Sequence, residues 1–480
     1  MVTLFLTALA AATRFPLLNY PTDGHTPVFD EKHYVPQAWQ MLTNGLWIED
    51  NPGYPLVVHP PVGKMFIAVG EWLFGYNGWG WRFSAAVAGV VLVLLVTRIV
   101  RRLTRSTMVG AIAGLLLVCD GVTFVSSRLG MLDIFMAVLM VGAFGCLIAD
   151  RDQVRERLAR ADAEGRSTAT AFGPRLGVRW WRFGAGVLLG LTCGTKWSGL
   201  FVIVFFTAMT LGFDVAARRA YGVARPWAGT AVRDLGPTLY ATVLIPVGVY
   251  LATYAGWFAS ETGVDRYAVG HRVGTGGFWS FVPDALRSLW TYSDQVLTFH
   301  ETLTNSAGYR HPWESKPWTW PMGLRPMLYY IDDQHVSGCG AAKCVKAVML
   351  LGTPAIWWLA FPVLGWALWR TAVRRDWRYA ALLVGYGAAF LPWFGELDRQ
   401  MYYFYAVPLA PFLVMLLAVV LGDVIGPAAA TPERRKTGLL AVCIYLAVVV
   451  ANFIWIWPIL TAMPISPAMW QQELWLPSWK

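Results

Sequence analysis

Charged residues are scarce in this sequence. Only 14% of its 480 residues are Asp, Glu, Lys or Arg, whereas 56% are hydrophobic. Soluble proteins carry about 25% charged residues, so the composition excludes an ordinary soluble fold. Tandem repeats, zinc-ligand spacings and the glycine fingerprint of dinucleotide-binding folds are also absent from the sequence, which argues against repeat, zinc-finger and Rossmann-type proteins.

What the sequence does contain is typical of a membrane protein. Many of its 26 tryptophans lie near the ends of apolar runs, where amphipathic rings settle at a bilayer interface. The net charge of +10 could suggest nucleic-acid binding. However, the basic residues cluster in short loops between apolar runs, and that arrangement is the orientation signal of membrane proteins.

The six cysteines fall into two groups. Four lie within apolar runs and are predicted to be packing residues. Cys339 and Cys344 share the polar stretch SGCGAAKC, where a disulfide is reasonable if the loop is extracytoplasmic.

About eleven apolar runs are long enough to be spanning helices, given that a span needs roughly 20 apolar residues or fewer when partly buried in protein. The predicted spans are 1–19, 83–100, 109–126, 131–149, 183–194, 197–213, 237–256, 346–369, 379–394, 402–421 and 438–460. We therefore predict an all-α integral membrane fold, with 1–480 as a single polytopic domain. The first run could be a signal peptide, but no small-residue cleavage site follows it, so we interpret it as a retained helix.

Residues 183–213 could form one long helix or two short ones broken near Lys196. The loop 150–182 holds eight arginines and the loop 214–236 holds four, so both are predicted to be cytoplasmic. Two cytoplasmic flanks require an even number of crossings and hence a hairpin. The same parity predicts a cytoplasmic amino terminus and an extracytoplasmic carboxyl terminus.

Two long segments remain on the outer side, residues 20–82 and 257–345. Both are rich in Trp, Tyr, Pro and Gly. They are predicted to be ordered extracytoplasmic loops with short surface helices, and neither is long enough for a separate large domain.

The first outer loop contains an acidic pair, Asp30-Glu31, in TPVFDEKHY. Such a pair could be solvated or could cap a helix. Its aromatic neighbours Phe29 and Tyr34 favour shielding from water instead, and a shielded carboxylate is a better general base. Further on, VVHPPVGKMF contains His59 and Lys64, which could form a rigid interfacial turn or lie near an anionic headgroup.

Several basic residues are predicted on the outer side, where the orientation rule disfavours them. They are Arg14 at the end of the first span, Arg128 in SSRLGMLD, Lys196 in GTKW and Arg399 in a short loop. Such cations are candidates for binding an anionic group, although they could also extend to lipid phosphates. Asp133 could pair with Arg128 or cap the following helix.

In order along the chain come FDE, HPPVGK, SRLGMLD, GTKWSGL, HPWESKPWTWPMGLRPMLYY and a tail LWLPSW. Together these motifs resemble the protein O-mannosyltransferases, especially their bacterial, actinobacterial-type members, over nearly the whole chain. The resemblance implies the GT-C glycosyltransferase architecture, with eleven spans and a catalytic acidic pair in the first outer loop. It also implies a polyprenyl-phosphate mannose donor and acceptor Ser or Thr hydroxyls on proteins that cross the membrane, which makes the translocation machinery a possible partner.

The resemblance also assigns expected roles to residues. It places Asp30 and Glu31 on the family's acidic pair, Arg14 on its first-helix arginine and Arg128 on its lipid-phosphate arginine. Lys196, with His311 and Trp313 of HPWESKPWTWP, would shape the site. Eukaryotic members carry a β-trefoil domain before the eighth span, and 257–345 is too short to contain one.

The expected mechanism is an inverting displacement. Asp30 would take the proton of the acceptor hydroxyl, Glu31 would orient the acceptor or tune Asp30, and Arg128 with Arg14, Lys196 or Arg399 would stabilise the leaving phosphate. This scheme requires no metal. No Asp-x-Asp pair occurs in an outer loop, although the adjacent Asp332 and Asp333 could be considered as metal ligands.

The alternatives are a GT-C transferase with a lipid or glycan acceptor and, from another class, a secondary transporter. A transporter would be expected to show matching broken helices in two repeats, and only one broken hairpin is evident.

Overall fold

The computed structural model of the protein describes residues 1–49, 57–334 and 336–480. The helices of the first half are α1 (Val2–Arg14), α2 (Glu31–Thr43), α3 (Val62–Phe74), α4 (Gly78–Thr104), α5 (Thr107–Val118), α6 (Gly121–Ser126), α7 (Asp133–Ala163), α8 (Trp180–Thr195), α9 (Gly199–Ala220) and α10 (Pro226–Arg233). Those of the second half are α11 (Leu235–Leu239), α12 (Ile245–Thr253), α13 (Ala255–Ala259), α14 (Ala268–His271), α15 (Asp284–Thr302), α16 (Pro354–Trp357), α17 (Ala360–Ala372), α18 (Trp377–Phe390), α19 (Ala410–Ile425), α20 (Pro432–Thr461) and α21 (Pro467–Glu473). A π-helical turn, Tyr240–Leu244, joins α11 to α12.

Within the described residues, six helical segments are long and apolar enough to cross a membrane. They are Gly78–Thr104, Asp133–Ala163, Gly199–Ala220, Leu235–Thr253, Tyr403–Ile425 and Pro432–Thr461. Each coincides with a predicted span. The other predicted spans contain shorter helices, namely α1, α5, α8, α17 and α18. The structure thus confirms a helical membrane fold, and the count of eleven spans stays a prediction.

The eighth predicted span is wrong at its beginning. Residues Lys346–Leu350 form strand β2, which pairs antiparallel with strand β1 (Met327–Asp332). The expectation of an all-α chain is corrected accordingly. A short apolar run does not distinguish a buried strand from a helix by periodicity alone. The loop of this ribbon contains the Cys339–Cys344 disulfide.

The predicted hairpin at 183–213 is present. Helix α8 ends at Thr195, Lys196 is extended, and α9 begins at Gly199. The far ends of the two helices meet, because the guanidinium of Arg182 donates to Asp214 and to Thr210 (both 2.8 Å). The turn at Lys196 therefore lies at one end of the helical bundle and the arginine-rich loops lie at the other.

Burial distinguishes the centre of the bundle from its periphery. Of the most apolar stretch in each helix, 89% is buried in Tyr403–Ile425 and 78% in Asp133–Ala163, against 28% in Pro432–Thr461. The central helices α7 and α19 begin at the same end of the molecule as the Lys196 turn. That end also holds the first turn of α2 and the last turn of α15, and these four elements position the candidate site.

Candidate active site

The two acidic residues of the predicted pair have different surroundings. Both oxygens of Glu31 are fully engaged: the Arg82 guanidinium donates to them through Nε (2.8 Å) and Nη2 (2.7 Å). The backbone N–H groups of Val28 (3.1 Å) and Gly130 (2.6 Å) also donate to this carboxylate. Glu31 is completely buried. It therefore fastens the first outer loop to α4 and to the connector before α7.

Asp30 occupies the N-cap position of α2, yet its side chain makes no capping hydrogen bond. Among the described residues, none donates a hydrogen bond to its carboxylate. The pKa of Asp30 is raised to about 6, mainly by burial and also by the neighbouring Asp133, while His33 and Lys196 oppose the rise. At neutral pH the carboxylate is mostly ionised and free to accept a proton, as a general base must be.

A cavity of about 250 Å³ lies where the Lys196 turn, the end of α15 and the segment before α19 meet. Asp30 is not in its lining, but two lining residues, Lys196 and Asp133, are close enough to shift the pKa of Asp30. The residues that line it are His59, Asp133, Met136, Lys196, Trp197, Ser198, Leu200, Phe201, Leu297, His300, Ala388, Ala389, Pro392, Trp393, Glu396, Arg399, Tyr405 and Pro408. Two cations, two histidines and two acidic residues thus share a mainly apolar wall. Such a cavity suits a ligand that has both a charged group and a hydrocarbon part.

Lys196 and Asp133 form a buried ion pair across the cavity wall (2.7 Å). The ammonium of Lys196 also lies over the rings of Phe404 (5.4 Å) and Tyr405 (5.9 Å). Its positive charge is therefore held in place by one carboxylate and two aromatic faces. The second carboxylate oxygen of Asp133 is buried without a hydrogen-bond partner among the described residues.

Arg399 has neutral neighbours instead. Its Nη2 donates to Nδ1 of His300 (3.2 Å) and approaches the Tyr405 hydroxyl (3.5 Å), and its Nε has no hydrogen-bond partner among the described residues. The guanidinium lies over Trp393, whose ring stacks on that of Tyr405 (4.5 Å, 4°). Arg399 therefore brings a positive charge to the cavity that no described carboxylate neutralises.

Two stacked imidazoles complete this end of the cavity. The rings of His59 and His300 are 5.7 Å apart. Burial lowers the pKa of His59 well below its usual value, and burial with the nearby Arg399 lowers the pKa of His300 to about 4. Both rings are neutral at pH 7. Lys64 donates to the backbone carbonyl of His59 (2.8 Å) and pairs with Glu49, so it holds the turn without lining the cavity.

Arg128 and Arg14 lie outside the lining of the cavity. The guanidinium of Arg128 donates to the carbonyls of Arg14 and Pro16 (both 2.8 Å), at the carboxyl end of α1. Arg14 is fully buried and donates to the Leu117 carbonyl (3.2 Å). The ion pair between Asp133 and Arg128 that the sequence suggested is not formed, because the Asp133 carboxylate pairs with Lys196 instead.

The predicted site-shaping loop lies beside the cavity rather than in its wall. His311 is exposed, accepts a hydrogen bond from the Trp313 N–H (3.1 Å) and contacts Tyr402 edge-on (5.3 Å). Trp313 is half-buried beneath the guanidinium of Arg325 (4.8 Å). Asp332 is one of the two adjacent carboxylates considered above as metal ligands, and it forms an ion pair with Lys346 (3.5 Å).

Sequence reasoning missed two residues of this site, Arg82 and His300. Arg82 could have been found, because it is a basic residue at the predicted outer end of a span, as Arg128 is. His300 carries no comparable signal, since a histidine in an amphipathic helix of a long loop is ordinary. Only the packing of α15 against the turn at His59 places it in the cavity.

Known proteins match this chain over its whole length. Residues 76–259 match the family described as dolichyl-phosphate-mannose-protein mannosyltransferase, and residues 285–479 match the C-terminal four-transmembrane region of protein O-mannosyltransferase. The chain is 63% identical to the polyprenol-phosphate-mannose–protein mannosyltransferase of Mycolicibacterium smegmatis, over 100% of this chain and 92% of the relative. The enzyme of the same name from Corynebacterium glutamicum is 42% identical, over 99% of this chain and 92% of the relative.

The fold is similar to that of a solved structure, the S. cerevisiae protein O-mannosyltransferase Pmt1-Pmt2 complex bound to the sugar donor. The TM-score is 0.72 at 14% identity, and the match covers 100% of this chain and 93% of the yeast chain. The likeness to the yeast structure concerns the fold, while the sequence identity to the bacterial relatives, over the full length of the chain, decides the family. This chain belongs to the protein O-mannosyltransferase family.

Proposed function

We propose that the protein transfers mannose from a polyprenyl-phosphate mannose donor to Ser or Thr hydroxyls of acceptor proteins, with Asp30 as the general base. The observation that carries the proposal is the free, shielded carboxylate of Asp30 beside a cavity that holds an unneutralised arginine. The names of the bacterial relatives supply the donor and the class of acceptor.

The proposed reaction is a single displacement with inversion. The acceptor oxygen attacks the anomeric carbon of mannose as Asp30 takes the hydroxyl proton. The bond from that carbon to the phosphate oxygen breaks, and the lipid phosphate leaves with the electron pair. Attack and departure occur on opposite faces of the sugar. The base and the cation at the departing oxygen therefore belong on opposite sides of the mannose, and the proposal assigns these two places to Asp30 and Arg399.

The leaving phosphate needs stabilising positive charge rather than an acid. We assign this role to Arg399 and Lys196, because both line the cavity. Arg128 and Arg14, which the resemblance suggested for phosphate binding, are better described as fixing the end of α1. The apolar lining at Leu200 and its neighbours would contact the hydrocarbon chain of the donor.

Glu31 acts in this proposal through other residues. Its carboxylate is occupied by Arg82 and two backbone N–H groups, which leaves no acceptor site for a substrate hydroxyl. Burial and Asp133, but not Glu31, raise the pKa of Asp30. We therefore describe Glu31 as the positioning residue that fixes the backbone on which Asp30 stands.

The proposed location is the plasma membrane, with a cytoplasmic amino terminus and with the active site and carboxyl terminus outside. The arginine-rich loops at the opposite end of the bundle support this orientation. His311 and Trp313 lie on the open side of the site, near Tyr402, where an acceptor polypeptide could approach from the translocation machinery.

The test is transfer of labelled mannose from the lipid donor to a Ser/Thr-rich peptide by purified protein. The same peptide with Ala at every Ser and Thr is the matched control. We expect label in the first peptide alone. Transfer of mannose to a glycan or lipid acceptor, with none to the peptide, would favour a GT-C transferase with that kind of acceptor. Movement of the donor across the membrane without transfer would favour a transporter.

A further inference from the structure

A second cavity, of about 550 Å³, lies at the opposite end of α4 and α7 from the candidate active site. Arg82, which binds Glu31, and Arg101, which lines this cavity, are 19 residues apart on α4. At 1.5 Å per residue they are separated by roughly 28 Å, about the thickness of a bilayer core. The two cavities therefore belong to opposite membrane faces.

One wall of this cavity is strongly basic. Arg98, Arg101 and Arg102 lie at helical spacings on one face of α4 near its carboxyl end, and Arg105, the residue that follows the helix, also lines the cavity. Arg102 donates to the Asp152 carboxylate (2.8 Å), and Arg105 lies 3.8 Å from the same group. Four arginines therefore face a single bonded carboxylate.

The side chains of Arg98 and Arg101 have no ion pair or hydrogen bond with any described residue, and both residues are exposed. Asp152 cannot neutralise them, because it is already shared with Arg102, Arg105 and Arg151. Glu156, which lines the adjoining pocket, pairs with Arg160. The cavity therefore retains a positive charge that an anion from outside the chain can balance.

The other wall is apolar and runs along the helices. Gly142, Gly145, Cys146 and Ala149 form one face of α7, with Leu95 and Ile99 of α4 opposite. These residues line the apolar part of the cavity, a furrow between the helices, in which Ile99 lies close to Gly145. Trp181, which is 48% exposed, borders the cavity at the level of the arginines, where tryptophan marks a membrane interface.

We propose that this cavity binds the phosphate headgroup of an anionic glycerophospholipid from the cytoplasmic leaflet, with an acyl chain in the furrow between α4 and α7. Arginine can hold a phosphate by two parallel hydrogen bonds, and basic pockets between spanning helices on the cytoplasmic side suit such headgroups. A soluble anion would use the arginines but would leave the apolar furrow uncovered.

The experiment titrates the full chain, purified in detergent, with phosphatidylglycerol and follows the midpoint of thermal unfolding and bound lipid by native mass spectrometry. We expect a single saturable site on the wild type. The double variant Arg98→Gln/Arg101→Gln should bind the lipid about twenty-five-fold more weakly, since each cation contributes about fivefold near a charged headgroup. Its stability without lipid should be close to that of the wild type.

The matched control is Arg219→Gln/Arg435→Gln. Both residues are exposed and belong to the predicted cytoplasmic loops, and their side chains have no partner among the described residues, so the variant loses the same two charges outside the cavity. It should bind the lipid as the wild type does. Equal weakening in the two double variants would overturn the site, because it would reflect net charge alone.

Two ligand controls complete the test. Phosphatidylcholine should not compete with phosphatidylglycerol, and equal competition by it would show that the arginines do not select the ligand. Glycerol phosphate should not reproduce the thermal shift at equal concentration, and a full shift with it would overturn a lipid site in favour of a soluble phosphate.

Discussion

Buried charges are arranged differently at the two ends of the molecule. At the end with the arginine-rich loops, Arg179 and Arg182 each donate to both Asp150 and Asp214. These two guanidiniums and two carboxylates are at most 6% exposed and neutralise one another. At the other end, Lys196 pairs with a single carboxylate, that of Asp133, and among the described residues the guanidinium of Arg399 hydrogen-bonds only with the neutral side chains of His300 and Tyr405. No described residue donates a hydrogen bond to the carboxylate of Asp30.

The difference indicates which buried charges are structural and which are available for chemistry. A closed network offers no free donor or acceptor to a substrate, and leaving one of its members unpaired is costly. The incomplete pairing around the first cavity has the opposite property, because a phosphate and a hydroxyl can supply the missing partners. Glu31 and Asp30 show the same contrast between adjacent residues.

The largest effect is expected from opening the closed network. Asp214→Asn removes one negative charge and leaves two buried arginines with a single carboxylate. It should lower the free energy of unfolding by about 3–5 kcal/mol, the range for breaking a buried ion pair. Unfolding in detergent measures this change. The mannose transferred per folded molecule should stay unchanged, and a selective loss of turnover would contradict the structural role.

The control for that variant is Glu156→Gln. It breaks the exposed Glu156–Arg160 pair, in which both side chains are more than half exposed. Such a pair contributes about 0.5 kcal/mol or less. A loss as large as that of Asp214→Asn would mean that burial does not explain the comparison.

The next effect is expected at Asp30. Asp30→Asn is nearly isosteric and breaks no hydrogen bond with a described residue, so the protein should remain folded. Turnover in the mannose-transfer assay should fall about a hundredfold or more, the scale of a general base. Near-normal transfer by the purified variant would remove Asp30 from this role.

Glu31→Gln sharpens the contrast between the adjacent carboxylates. It should lower the unfolding temperature together with the activity, because it weakens the buried bond to Arg82. A variant of Glu31 that loses activity at unchanged stability would assign this residue a direct part in the chemistry.

A smaller effect is expected at Arg399. Arg399→Gln should reduce donor binding and turnover together by roughly thirtyfold, because the leaving phosphate gains charge in the transition state. Arg399→Lys should recover only part of the loss, since a lysine ammonium is a point charge and cannot donate two parallel hydrogen bonds to phosphate as a guanidinium does. Donor-dependence curves of the transfer reaction measure both quantities.

Arg128→Gln is the matched comparison for Arg399. It removes the same charge but releases the carbonyls at the end of α1, so it should reduce stability and leave the donor dependence unchanged. A selective loss of donor affinity in this variant would restore Arg128 to the phosphate site.

The smallest effect is expected from pH. The raised pKa of Asp30, about 6, means that the ionised base is lost as the pH falls through that value. The rate should therefore drop about tenfold between pH 7 and pH 5, following the fraction of ionised Asp30. The residual rate of Asp30→Asn should be flat over this range. His59 and His300 should not contribute, because their lowered pKa values keep both rings neutral.

Hydropathy and the distribution of basic residues were sufficient to predict most of the helical framework. They located the six long apolar helices and the break at Lys196, because both signals depend on local composition. They failed at Lys346–Leu350, where an apolar run pairs with β1 as a strand. The choice between strand and helix there depends on a partner that lies some twenty residues earlier in the chain.

Several residues of the candidate site could be named individually from the sequence, because outer basic residues and a shielded acidic pair are unusual. The sequence by itself determined a membrane protein of the O-mannosyltransferase family with Asp30, Lys196 and Arg399 among its candidates. Only the tertiary structure decided that Glu31 is bound to Arg82, that Asp133 pairs with Lys196 rather than Arg128, and that His300 lines the cavity. These contacts join residues 51, 63 and more than two hundred positions apart, and which charges remain unpaired follows from packing between helices rather than from any local pattern.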